Sequence, residues 1–256
     1  VSIRGVFFDL YGTLLIYGDM RAAWADWLGI FHATLRPCGL RLSREALAHR
    51  CDGFYSRPEP PPDGTGATLF ERRIRGLCRS LGLEVPAETV SRIADTSAAA
   101  WQRHLTLDPE ALPLLRALRD GYTLALITNF DHPPHVHRVL AESGLADCFE
   151  RLVVSAAVGL KKPDPRIFRV ALGQTGPQAD EVVFVGDAAE DVEGARAAGL
   201  HPVLIAREPG GTGASAFDFQ VAASSRPPTP LGFPDGLPVI SRLSSLPPLL
   251  ESLPAV

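Results

Sequence analysis

Four short stretches of this chain carry side chains able to do chemistry together. They are Asp9-Leu-Tyr-Gly-Thr-Leu14, Thr128-Asn129, Lys162-Pro-Asp-Pro165, and Gly186-Asp187 with Asp191 four residues on. A carboxylate can attack as a nucleophile and split one hard displacement into two easier ones. One or two carboxylates and a carbonyl can also hold a divalent cation such as Mg²⁺. A lysine can neutralise charge at such a site, and a hydroxyl with nearby amides can bind the oxygens of an anion. Each stretch alone is a weak signal. Their order and placement together are strong.

The elements that must position them read as alternating strands and helices. Gly5–Leu10 is an unbroken apolar run that ends in an acid, as suits a strand buried on both faces of a parallel sheet. Thr123–Thr128 ends in Asn129, and Leu152–Ser155 ends in a small-residue loop. Val182–Val185 ends in Gly186-Asp187, and Pro202–Ala206 is a fifth such run. Between them, Asp108 and Pro109 suit a helix start, with Leu112, Leu115 and Leu118 as its apolar stripe. Pro165–Leu172 and Ala188–Ala198 each stop at a glycine. This alternation predicts an α/β fold with a Rossmann-like three-layer core and a parallel sheet. Ligands gather at the carboxyl ends of such strands, where Asp9, Thr128-Asn129 and Asp187 stand.

One interval breaks the rhythm. Far more residues separate Asp9 from Thr128 than one crossover helix needs. Trp24, Trp27, Leu28, Phe31 and Leu35 recur at helical spacing, as a helix–helix core would require. Ala46–Tyr55, Thr68–Leu81 and Ala87–Trp101 also suit helices. The division expected is therefore a core of residues 1–16 and 105–256, with a helical domain of residues 17–104 inserted over the first strand's end. Its hinges fall near Ile16–Asp19 and His104–Asp108. Pro238–Ile240 and Leu246–Leu253 read as a closing strand and helix, after a long Pro/Gly loop over 207–237.

Composition narrows the function classes. With 46% hydrophobic and 21% charged residues, the chain can build a sizeable core. A net charge of −4 argues against a nucleic-acid partner, which calls for a basic face. No apolar run reaches the length of a membrane span, and none resembles a secretory leader. The cysteines at 38, 51, 78 and 148 form no CxxC pair or disulfide framework, so reduced thiols and a cytoplasmic setting are expected.

The four stretches together resemble the haloacid dehalogenase-like hydrolase superfamily. The likeness extends through Gly144–Phe168 and Val182–Leu200, and the inserted helices resemble that family's helical cap of the first type. The resemblance implies a hydrolase with Asp9 as nucleophile. It implies Mg²⁺ held by Asp9, Asp187 and the Tyr11 carbonyl, with Asp191 binding a metal water or anchoring the lysine. Lys162 would neutralise the nucleophile, and Thr128 and Asn129 would bind the substrate. The substrate would be a small phosphorylated molecule, and the protein a monomer or a homodimer.

Two features pull apart. Family phosphatases usually carry a second Asp two residues after the nucleophile, as an acid–base group. Tyr11 stands there, and with a reference pKa of about 10 it is a poor base at neutral pH. Asp-Leu-Tyr-Gly-Thr-Leu resembles the first motif of the metal-free 2-haloacid dehalogenases, whose halide leaving group needs no proton. Against that, those enzymes typically have Ser-Asn where Thr128-Asn129 stands and a Tyr at the position of Phe168. Gly186-Asp187 with Asp191 resembles the Mg²⁺-dependent phosphatases. Without a cation, the extra carboxylates would repel both Asp9 and an acidic substrate. The metal-dependent phosphatase is therefore the preferred reading, ahead of a dehalogenase or a non-catalytic binding protein of the same fold. His132, His135 and His137 read as loop and helix-start residues in preference to a metal site. Arg57 reads as a solvated loop arginine before a substrate contact.

Overall fold

The computed structural model describes residues 2–207 and 236–252. Most of the long Pro/Gly loop expected over 207–237 lies outside the described residues.

The elements run β1 (Gly5–Phe8), β2 (Leu15–Tyr17), α1 (Met20–Leu35), α2 (Arg44–Arg50), α3 (Leu69–Ser80) and α4 (Ala87–Gln102). There follow β3 (Leu105–Leu107), α5 (Ala111–Leu118), β4 (Thr123–Thr128), α6 (Pro133–Glu142), β5 (Arg151–Val154), α7 (Ser155–Val158) and α8 (Pro165–Leu172). The chain continues with β6 (Val182–Gly186), α9 (Ala189–Ala198), β7 (His201–Ile205), β8 (Val239–Ile240) and α10 (Leu246–Ser252).

Six strands form one parallel sheet in the order β5-β4-β1-β6-β7-β8. Alternate residues of each strand serve opposite faces. Phe7, Ala125, Ile127, Val153 and Phe184 pack with Ile167 and Phe168 of α8 and Ala195 of α9. Val6, Phe8, Leu124, Leu126, Val183 and Val185 belong to the second core, with Leu115 of α5 and Val136 and Leu140 of α6. Strands covered on both faces need continuous apolar runs, which is why β1, β4 and β6 were readable from sequence. The three-layer α/β fold is as expected.

Helices α1–α4 lie between β2 and β3. Trp27 stacks on Phe31 with ring centroids 3.9 Å apart and on Phe70 of α3 at 6.5 Å, so the tryptophan stripe is a helix–helix core. Thr68 and Glu71 close a reciprocal capping box at the start of α3. The two chain crossings are joined by a ladder that the sequence did not announce. β2 and β3 pair antiparallel, Leu15 opposite Leu107 and Tyr17 opposite Leu105. The Gly18 amide extends the pairing by donating to His104 O at 2.8 Å.

Two helix boundaries differ from expectation. α5 begins at Ala111, because the Asp108 carboxylate accepts from the Glu110 amide at 2.8 Å and makes a turn before the helix. α2 ends at Arg50, where the chain turns at Cys51–Phe54.

Candidate active site

β1 lies in the middle of the sheet, between β4 and β6, so its carboxyl end faces both neighbours' ends. Asp9 follows β1, its amide bonded to Val185 O at 2.9 Å. Its Oδ1 lies 2.6 Å from Lys162 Nζ, and that ammonium lies 2.6 Å from Asp191 Oδ1. All three are nearly sealed from solvent, at 5%, 3% and 1% exposure. Asp191 Oδ2 accepts from the Ala188 amide at 3.0 Å, which fixes the carboxylate at the start of α9. Of the two roles open to it, Asp191 therefore takes the lysine anchor in this geometry.

Asp187 completes the acid cluster. One oxygen from each of Asp9, Asp187 and Asp191 lies within 4.8 Å of the others. Two glycines make room. Gly12 has φ 89°, and a Cβ there would overlap the Asp187 carboxylate. A Cβ on Gly186 would overlap Asp191. A side chain at either position would displace a carboxylate of the cluster, a steric role that the motifs containing Gly12 and Gly186 do not by themselves reveal.

Electrostatics follow from this crowding. Burial pushes the Asp9 carboxyl up to about 7, with Lys162 opposing and Asp191 adding to the rise. Burial, then Asp9 and Asp191, hold Asp187 well above the usual carboxylate range. Burial alone would lower the Lys162 ammonium, but Asp191 and Asp9 outweigh it and hold it above the ordinary lysine value. Ionised together, the three carboxylates would outnumber the lysine, so ionising them calls for a further cation. The donor set, all oxygen and partly buried, fits Mg²⁺.

Asn129 and Thr128 differ in what they offer. The Thr128 hydroxyl is buried with no hydrogen-bond partner among the described residues, so it can take a ligand oxygen. Both ends of the Asn129 amide are engaged. Its Oδ1 accepts from the Lys162 amide, and its Nδ2 donates to Lys162 O and Glu190 Oε1. Asn129 holds the lysine loop.

The Tyr11 ring stacks on Phe130 at 5.0 Å and meets Trp101 of α4 edge-on at 5.2 Å. It is thus wedged between the core and the inserted helices. Burial, and next the Asp9 charge, push its hydroxyl well above the ordinary phenol value.

Two further residues were not legible in the sequence. Tyr17 of β2 is half-buried, and Asp187 and Asp9 add to the burial that raises its hydroxyl, which puts it beside the acid cluster. Arg207, after β7, donates to Thr13 O at 2.6 Å and pairs with Asp108 at 2.7 Å, tying the loop after Asp9 to the end of β3.

The weaker candidates separate. His132 Nδ1 lies 3.0 Å from Thr68 Oγ1, His135 Nε2 lies 3.3 Å from Gln102 Oε1, and His137 is exposed. They share no ligand site. Arg57 is exposed and donates to Arg50 O and Asp52 O, so it folds its own loop and stays out of the site. All four cysteines are free. Burial pushes the Cys51 thiol up to about 12 and Cys78 up to about 11, so neither is a nucleophile near neutral pH. No helix among the described residues is long and apolar enough to cross a membrane.

Comparison with known proteins agrees with the geometry. A family model described as haloacid dehalogenase-like hydrolase matches residues 3–199. A phosphoserine phosphatase of Thermus thermophilus is 43% identical over 108 residues, 41% of this chain and 43% of that protein. A phosphoglycolate phosphatase of Yersinia pseudotuberculosis is 30% identical over 199 residues, 77% of this chain and 78% of that one. An (S)-2-haloacid dehalogenase of Pseudomonas sp. strain YL is 30% identical over 213 residues, 80% and 83% of the two chains. With its parallel sheet, its strand-end acids and its buried lysine, this chain belongs to the haloacid dehalogenase-like hydrolases.

Proposed function

We propose that the protein is a Mg²⁺-dependent phosphohydrolase of a small phosphorylated substrate, with Asp9 as nucleophile. One observation carries this reading. Asp187 crowds Asp9 and Asp191 where, among the described residues, Lys162 is the cation paired with them. A phosphoryl group adds further negative charge, and a divalent cation is the natural offset. Asp9, Asp187 and the Tyr11 carbonyl would hold Mg²⁺, which when bound neutralises the phosphoryl oxygens.

The chain's own residues supply the remaining chemistry. An Asp9 carboxylate oxygen attacks phosphorus, and the bond to the leaving oxygen breaks with its electron pair. Lys162, held at 2.6 Å from Asp9, offsets the charge on the attacking side. The Thr128 hydroxyl donates to a phosphoryl oxygen. Water then cleaves the aspartyl phosphate, releasing phosphate and regenerating Asp9. Tyr11 offers no acid of suitable pKa, so the favoured leaving groups need no proton, as in acyl and aryl phosphates. Residues 17–104 act as a cap that closes over the site and excludes water in the first step.

The second reading is a haloacid dehalogenase, favoured by Tyr11 within Asp-Leu-Tyr-Gly-Thr-Leu. Phe168 speaks against it: it has no hydroxyl and is buried against Phe184.

The deciding assay uses p-nitrophenyl phosphate and acetyl phosphate with Mg²⁺ or with EDTA, and L-2-chloropropionate with chloride detection. Phosphate release that needs Mg²⁺ and disappears in Asp9→Asn is the expected result. Chloride release that survives EDTA would replace it with the dehalogenase.

A further inference from the structure

The loop after Thr128 and Asn129 is gripped by the inserted helices. Asp131 O accepts from the Phe70 amide at 3.0 Å. Phe70 is the second residue of α3, where an amide has no partner inside its own helix. The Asp131 carboxylate meets Arg73 one turn later, Oδ2 to Nε at 2.7 Å, with the side chains 17% and 4% exposed. Arg73 also donates to Arg57 O at 2.9 Å, so it is braced from its own side. One residue on, His132 reaches Thr68 and Asp95, and Arg138 reaches the same Asp95 carboxylate at 2.8 Å.

On the other side of this loop, two residues before Asp131, Asn129 clasps the backbone of Lys162. Lys162 Nζ in turn meets Asp9 and Asp191. Two sets of hydrogen bonds, one from α3 to Asp131 and one from Asn129 through Lys162 to the nucleophile, are thus joined by the short backbone from Asn129 to Asp131. The connecting loop is only four residues, Asn129 to His132, between the end of β4 and Pro133-Pro134 of α6. Only Phe130, itself tied to Ser155 by its amide at 3.0 Å, stands between Asn129 and Asp131, so few backbone torsions separate the two.

We propose that Asp131 is a positioning residue that makes the seating of α3 a condition for Lys162 to stand correctly against Asp9. Seated, the Asp131 carboxylate and carbonyl both have partners. Lifted, the half-buried Asp131 carboxylate and its carbonyl would lose these partners and Arg73 would keep only those of its own side, so partly lifted positions are disfavoured. Chemistry is thereby confined to the closed arrangement, when water has been excluded. The activity arm of the test rests on the phosphohydrolase reading; the exchange arm does not.

The experiment uses the full chain carrying Asp131→Asn, Asn129→Ala or both, assayed with p-nitrophenyl phosphate and Mg²⁺. Each single change is expected to lower kcat about 2- to 30-fold with a smaller effect on KM. The double variant is expected to be no slower than Asn129→Ala alone, because Asp131 acts through Asn129. Losses that multiply, or an Asp131→Asn enzyme of unchanged kcat, would overturn the proposal. Thermal melts check folding. If Asp131→Asn does not fold, the pair Arg73→Met with Asp131→Asn takes its place, since it leaves no unpaired buried charge. Coupling is reciprocal, so Asn129→Ala must also speed hydrogen exchange at the Phe70 amide, by about fivefold or more. Should the wild-type chain hydrolyse no phosphate ester, the functional reading fails while exchange still decides this proposal. Faster Phe70 exchange supports it, and unchanged exchange overturns it.

Discussion

Asn129 and Lys162 exchange two hydrogen bonds: Asn129 Oδ1 accepts from the Lys162 amide at 2.9 Å, and Nδ2 donates to Lys162 O at 3.1 Å. This amide holds the backbone of Lys162, where the sequence alone points to a substrate contact. Asn129→Asp keeps the acceptor, loses the donor and sets a carboxylate beside Glu190, whose own carboxyl is already raised by burial. Misplacing a catalytic group by about 1 Å can cost about 10²-fold. A fall of that order in kcat with little change in KM is expected from steady-state kinetics. Glu190→Gln should restore part of it by removing the repulsion.

Tyr11 fills the position where an acid–base carboxylate would stand, and its ring is committed to Phe130 and Trp101. Tyr11→Asp should raise the rate for alkyl phosphates, whose leaving groups need a proton, by up to about 10²-fold. The same change empties an aromatic contact. The variant should therefore melt below wild type, by about 3 kcal/mol of stability. A series of substrates with different leaving-group pKa checks the first claim. A rate in wild type that does not vary with leaving-group pKa would refute it.

Arg207 ties Thr13 O to Asp108, and Asp108 is buried. Arg207→Met leaves that carboxylate without its ion pair, at a cost of about 3 kcal/mol. In a chain of this size that corresponds to roughly 6–12 °C in Tm. Adding Asp108→Asn should recover part of the loss, because the uncompensated charge is gone. Scanning calorimetry of the two variants measures both effects.

The acid cluster makes metal-free stability depend on pH. Folded Asp9 holds its proton up to about pH 7, while an unfolded aspartate releases it near pH 4. The folded state therefore binds more protons between those values, and stability falls as pH rises through that window. Melting in EDTA should show Tm falling from pH 5 to pH 7.5. Asp9→Asn should flatten the slope. Excess Mg²⁺ should raise Tm most at the upper end, where the carboxylates are ionised.

The sequence by itself determined the sheet and the acids at its strand ends. Gly5–Phe8, Leu124–Ile127 and Val182–Val185 are apolar without interruption because both faces of each strand are covered, and that pattern is local. Asp9, Lys162, Asp187 and Asp191 were legible because each stands just beyond such a pattern or within a short motif. Tertiary structure alone decided what these groups do to one another. Asp191 anchors Lys162, Asn129 clasps its backbone, and Tyr11 turns its ring toward Trp101. Arg207 reaches Thr13 and Asp108, and β2 meets β3 across the whole inserted segment. Each of these contacts joins residues far apart in the chain. No local periodicity encodes such a contact, and it exists only once the sheet has brought the strand ends side by side.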